Sequence, residues 1–428
     1  MLKRSLLFFC VTGLAGRVLA DTRPITLEAA IERAMHQNAS VQSAESEVRA
    51  SEAQYKRSSS TFLPKIGAES RYEYIDSPFQ MQRGATSDLF LEWNLFNGFR
   101  DWYDRKAKGW ELDRAKAARQ QQDALLAADV EAKFYKILAA IESVKAYREA
   151  LQRNDSQQEA AKRRRGAGLA SDADILEFDL YTTELQSGLS HFKSELIAYE
   201  AQFRELLGEE DASVDFEPDA KLIHFHLDNN LGELKQRGLT ENQSLLAARF
   251  EVEQAKANTK VAAGGYLPEL GIKATYGSRG IVDTEVTPET TIVGTARWEF
   301  FSGFDTTRAR AEARAKTDLA LAKLKQHELA IMTSVESAFA ALKAIQDHVD
   351  IEGENKVKAK KFFDVVTGEY KRGVKNSADL KSAAQVFLEV NLRDIQYRAD
   401  FFEQKAVLEK AIGGPVKISR GSLSGHTD

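Results

Sequence analysis

The chain has 428 residues, a formal net charge of −5 and 43% hydrophobic residues, a length that suits two or three domains. With 29% of its residues charged it is too polar for a bundle of membrane-spanning helices. Its near-balanced charge excludes a dedicated nucleic-acid binder, which would be strongly basic.

The first twenty residues, MLKRSLLFFCVTGLAGRVLA, place Lys3 and Arg4 before a short apolar run and end on small residues. They read as a secretory leader cleaved after Ala20. Cys10 is the only cysteine and lies inside it, so the expected mature chain has neither disulfides nor thiolate metal ligands. No other stretch approaches eighteen consecutive apolar residues, so entry into a membrane would have to use strands.

From residue 21 onward the sequence is written twice. TFLPKIGAESRY (61–72) returns as GYLPELGIKATY (265–276), with Pro64 on Pro268, Gly67 on Gly271 and Tyr72 on Tyr276. With one residue of slip WNLFNGF (93–99) matches WEFFSGF (298–304), and Asp174 falls on Asp379. A unit of about 205 residues is too long for a solenoid repeat and reads as a duplication. The expected organisation is a leader (1–20), a first repeat (21–218), a second repeat (219–414) and a flexible C-terminal tail (415–428).

Within each repeat a polar helical stretch ends at Leu-Pro. Alternation follows: Leu89, Leu91, Trp93 and Leu95 interleave with Asp88, Glu92 and Asn94, and Ile292, Ala296 and Trp298 interleave with Thr295, Arg297 and Glu299. Period two marks half-exposed strands, giving β-hairpins over 65–97 and 269–302. Residues 79–217 and 289–414 contain no proline, and Ala, Lys, Arg, Glu, Gln and Leu dominate, so long helices are allowed there. Leu185, Leu189, Phe192, Leu196, Tyr199, Phe203 and Leu206 alternate spacings of four and three, a coiled-coil seam. Helical hairpins are therefore expected over 100–207 and 305–412. GEEDASVDFEPD (208–219) between the repeats reads as a solvated acidic connector.

Four amphipathic strands are too few to close a membrane barrel, so other copies of the chain must complete it. Trp93, Trp298, Tyr72 and Tyr276 suit membrane-interface positions. No phosphate loop, nucleophile elbow or HExxH motif is present, so no enzymatic activity and no cofactor is expected. His224 and His226 have a strand-like spacing, but no carboxylate or third His is spaced along the sequence to complete a site, so no metal site is expected.

The leader, the duplication, LPKIG and LPELG, WNLFNGF and WEFFSGF, and the two helical hairpins together resemble the TolC-like outer-membrane efflux family. The resemblance covers residues 25–413. It implies an internally duplicated α+β membrane protein with coiled-coil hairpins forming a periplasmic tunnel. It implies a homotrimer whose twelve strands form one barrel in outer-membrane lipid. It further implies a periplasmic adaptor (membrane fusion) protein and an inner-membrane pump or ABC exporter as partners, in tripartite efflux or type I secretion. A soluble periplasmic adaptor and a structural coiled-coil envelope protein are the alternative readings.

By the same resemblance Asp379 occupies an acidic ring at the tunnel's closed end, with Ser382 where a second acidic position falls. Tyr370 and Lys375, facing Asp174 of the other hairpin, match the lock on that end. The turns carrying Gly166, Gly168 and Leu169, and Gly373 and Val374, match the tips that receive the adaptor. Asp174 and Asp379 also suit helix N-caps, and Lys162 to Arg165 suit a solvated charged face or a docking surface for acidic residues.

Overall fold

The structure, a computed structural model, describes residues 21–77, 80–168, 170–211, 214–281 and 287–420. The expected leader and Leu169 lie outside the described residues.

Each repeat runs through the same elements. In the first, β1 (Asp21–Ile25) leads into α1 (Leu27–Gln37) and α2 (Ala39–Ser58). Thr26 caps α1 by accepting the Ala29 N–H, 3.3 Å, which satisfies a donor the helix cannot. A 3-10 turn over Ser59–Phe62 precedes Leu63 and Pro64. Then come β2 (Lys65–Ser77), β3 (Gln80–Asn97), α3 (Arg100–Gly166), α4 (Asp172–Leu207) and β4 (Val214–Pro218). The second repeat has β5 (Phe225–Leu227), α5 (Leu231–Glu241), α6 (Gln243–Ala263) and a 3-10 turn at Gly264–Tyr266. It continues with β6 (Glu269–Ile281), β7 (Thr287–Arg297), α7 (Asp305–Lys371), α8 (Ser377–Ile412) and β8 (Ile418–Arg420). Helices α3 and α7 are both 67 residues long, and α4 and α8 both 36. At 1.5 Å per residue the longer pair measure about 100 Å. Gly353 and Gly368 lie within α7 without ending it.

The two β-hairpins form one antiparallel four-stranded sheet in the order β2-β3-β6-β7. Leu-Pro therefore separates helix from strand in both copies. In β3 a register shift between Asn94 and Phe96 bends the strand against β6. Lys273 sits opposite Glu92 across these strands, Nζ 2.8 Å from the carboxylate. Each hairpin passes into its long helix through a pair of left-handed residues, Gly98 and Phe99 (φ 56° and 62°) and Gly303 and Phe304 (φ 63° and 69°). The second hairpin ends at Arg297, so residues 298–302 are not strand as expected.

Two further expectations change. The acidic connector contains β4, which pairs in parallel with β1, Asp21 opposite Val214 through Ile25 opposite Pro218. Phe216 on it is buried against Phe203, ring centroids 6.3 Å apart. The tail contains β8, antiparallel to β5. In both cases a few apolar residues gain burial and ladder hydrogen bonds that a solvated segment lacks.

The described residues divide into two compact units. One comprises the chain up to Asn38, Val130–Ile223 and Glu352–Ala399; the other comprises Ala39–Asp129, His224–Ile351 and the chain from Asp400. Each unit draws on both repeats, so compactness does not follow the sequence repeat. The first unit holds the coiled-coil seam, with Leu185 and Phe203 buried. The second holds the sheet and a core that includes Leu234, Leu245, Val335 and Phe402.

Candidate functional site

The first unit contains the turns of both helical hairpins, and their packing positions the predicted gate residues. Ala161, Phe178, Phe363, Val366, Tyr370, Leu380 and Ala383 form a buried cluster contributed by all four long helices. Phe387 stacks on Phe363, centroids 5.7 Å apart and planes 12° from parallel.

Each return helix opens the same way. Asp174 Oδ2 accepts the Ser171 N–H at 2.7 Å while Ser171 Oγ accepts the Asp174 N–H at 3.3 Å. In the second hairpin Asn376 Oδ1 accepts the Asp379 N–H at 2.9 Å, and Asp379 Oδ2 lies 3.4 Å from the Asn376 nitrogen. Both aspartates thus sit at the third helical position of a reciprocal cap rather than at the N-cap, where a carboxylate meets free N–H groups and the positive helix end.

The two carboxylates differ in their other partners. The Ser377 hydroxyl donates to Asp174 Oδ1 and lies 3.1 Å from Glu177 Oε2. That bond, followed by the Ser171 backbone N–H, holds the Asp174 carboxyl below the usual carboxylate range. Asp379 instead has Lys375 one turn back, Nζ 3.7 Å from Oδ2, with both side chains well exposed.

The expected lock is therefore rearranged. Lys375 pairs with Asp379, not with Asp174. Tyr370 is buried, 6% exposed, and Arg164 covers its ring, guanidinium carbon 4.7 Å from the centroid. Arg164 Nη1 also donates to the Tyr370 carbonyl, 2.8 Å. Burial raises the Tyr370 phenol above its ordinary value, with Arg164 opposing. Arg164 thus leaves the basic run expected to be a solvated face and joins α3 to α7. Neither Arg164 nor Ser377 is singled out by sequence, because each gains its partner only when the two hairpins pack. At the turns Gly168 and Gly373 are left-handed (φ 73° and 79°) and Val374 is 70% exposed. Gly166 closes α3, and a Cβ there would meet nothing within 4 Å.

In the second unit Tyr72, Tyr276, Trp93 and Trp298 are all exposed. Each indole has a second role that the sequence did not announce. Trp93 Nε1 donates to the Phe62 carbonyl at 3.1 Å, and Trp298 Nε1 to the Tyr266 carbonyl at 3.2 Å. These carbonyls immediately precede the two Leu-Pro pairs, so the tryptophans clamp both helix-to-strand corners.

The expectation that His224 and His226 lack a carboxylate is corrected by Asp350 of α7. Its Oδ1 lies 2.9 Å from His224 Nε2 and 4.0 Å from His226 Nε2. It stands more than a hundred positions away in sequence, beyond the reach of any spacing rule.

Among the described residues no helix is long and apolar enough to cross a membrane. No curated protein sequence matches the chain. Solved structures match its fold over 91% of its length. The outer membrane protein VceC of Vibrio cholerae is 15% identical, with 97% of that chain covered and a TM-score of 0.78. The CmeC outer membrane channel of Campylobacter jejuni is 14% identical, with 86% covered and a TM-score of 0.78. The MtrE outer membrane channel of Neisseria gonorrhoeae is 17% identical, with 89% covered and a TM-score of 0.76. The model of the outer membrane efflux protein family matches twice, over residues 30–209 and 234–414, once for each repeat of the hairpins described above, and the chain therefore belongs to the outer membrane efflux protein family.

Proposed function

We propose that three copies of this chain form one export duct, each supplying four strands to a twelve-stranded outer-membrane barrel. The carrying observation is the sheet β2-β3-β6-β7, whose edges β2 and β7 have no strand partner among the described residues. It exposes Ile66, Leu89 and Ile292, from 57% to 76%. Unpaired strand edges in lipid are costly, and closure is the remedy available to strands. The family is one of efflux channels rather than enzymes, and transport by this duct requires no catalysis of its own. Cargo enters from an inner-membrane pump or ABC exporter through a periplasmic adaptor seated on the turns around Gly166, Gly168, Leu169, Gly373 and Val374. Trp93, Trp298, Tyr72 and Tyr276 lie at the membrane interface in this reading.

Asp379 is the selectivity position. Threefold symmetry would bring three such carboxylates to one constriction, where their fields add and favour cations. Lys375 beside each one tempers that field, and because the pair is exposed its effect is screened by salt. In planar bilayers under a salt gradient, Asp379→Asn is expected to shift the reversal potential toward zero. Lys375→Ala is expected to shift it the other way. Identical reversal potentials in all three proteins would remove Asp379 from this role.

A further inference from the structure

We propose that His224, His226 and Asp350 bind one divalent transition cation per chain, of the zinc class, with a fourth position open to water. The three residues meet inside the second unit, and their ligand atoms all lie within 4.8 Å of one another. His224 and His226 are two apart on an extended segment, so both side chains leave the same face. Their ring centroids are 4.8 Å apart. Asp350 reaches them from α7.

The chemistry of the donors selects the ion. Two imidazoles and one carboxylate are a common set for zinc and its neighbours, with three protein ligands leaving a coordination position for water. Calcium and magnesium require more oxygen donors than this site supplies. A tetrahedral site with bonds of about 2.0–2.1 Å holds its donors about 3.3 Å apart. Asp350 Oδ1 stands 2.9 and 4.0 Å from the two Nε2 atoms and all three donors lie within 4.8 Å of one another, so the half-exposed His226 and Asp350 side chains must draw inward to close the triangle on an ion. Asp350 and His226 keep 46% and 31% of their side-chain surface, which gives an ion a way in, while His224 at 6% fixes the inner wall.

An outer residue aims the ring. Gln346, one turn before Asp350 on α7, places Nε2 2.8 Å from His226 Nδ1, and its Oε1 accepts the Leu227 N–H at 3.2 Å. This orients the ring with Nε2 toward Asp350, but with the carboxamide N–H donating to Nδ1 the ring proton is on Nε2, the reverse of the outer acceptor that histidine ligands commonly have. Coordination through His226 Nε2 requires the ring proton on Nδ1. A small swing of the carboxamide lets its oxygen accept that proton as well as the Leu227 N–H, because a carbonyl oxygen has two lone pairs. The loaded site would tie β5 to α7 through metal bonds, where the apo protein has the His224–Asp350 contact.

The test uses the full chain extracted in detergent, stripped with a chelator and titrated with Zn2+ by calorimetry and with Co2+ by visible absorption. The expected result is one ion per chain and an intense d–d band from four-coordinate Co2+. His226→Ala and Asp350→Asn should each weaken Zn2+ by at least about 10-fold and abolish that band, and Gln346→Ala should weaken it by up to about 10-fold. Asp350→Asn keeps size and a hydrogen-bonding oxygen at a half-exposed position, so it decides the matter should His226→Ala misfold. No uptake of either ion, or uptake unchanged by Asp350→Asn, overturns the site and leaves a hydrogen-bonded strut.

Discussion

The hydroxyl of Ser377 stands between Asp174 and Glu177, and its bond to Asp174 is the first cause of that carboxyl's lowered pKa. A carboxyl depressed in the folded state stabilises at pH values above its unfolded value, about 3.9. The contribution disappears as pH falls through the folded value. The contact between the α4 and α8 entries is therefore expected to loosen below about pH 4, seen as faster amide hydrogen exchange over 171–177. Ser377→Ala should exchange faster already at pH 7 and show a smaller further rise on acidification. Equal acid sensitivity in both proteins would show that this bond does not hold the entries together.

At the scale of elements, the hairpins enter α3 and α7 through paired corners with different surroundings. A left-handed backbone costs a side chain about 1–2 kcal/mol. A Cβ on Gly98 would collide with the Gly264 carbonyl oxygen, whereas one on Gly303 would meet nothing within 4 Å. Gly303→Ala should thus cost about 1 kcal/mol and Gly98→Ala more than about 2 kcal/mol. The thermal midpoints of the extracted variants order them, and equal losses would deny the close approach of Gly98 to Gly264. The sequence displayed the elements well because each long one carries its own period: four-and-three along α4, two along β3 and β7, and proline gaps matching α3 and α7. Strands β1, β4, β5 and β8 were missed, having five residues or fewer and partners nearly two hundred positions away. The candidate site was legible where it rests on local turns, as at Asp174 and Asp379. It was illegible where a partner comes from another hairpin, as with Arg164 on Tyr370, Ser377 on Asp174 and Asp350 beside His224.

For the whole molecule, the edges β2 and β7, unpaired among the described residues, make the oligomeric state the decisive quantity. Light scattering of the detergent-extracted outer-membrane fraction is expected to give a protein mass near three mature chains, about three times a little under 47.7 kDa. A monomer confined to the soluble periplasm would leave those edges unpaired and end the duct reading. The duplication carries a further consequence through its short strands. β1 aligns Asp21 with Val214, and β5 aligns Phe225 with Arg420, so the first strand of each repeat is matched by its last. Closing so long a loop is an entropic cost met late in folding. In a polypeptide that emerges from its amino end, β1 stays single until residue 214 has appeared, and β5 until residue 418. Maturation thus has two successive latches, the second closed by β8 roughly two hundred residues after β4 has closed the first.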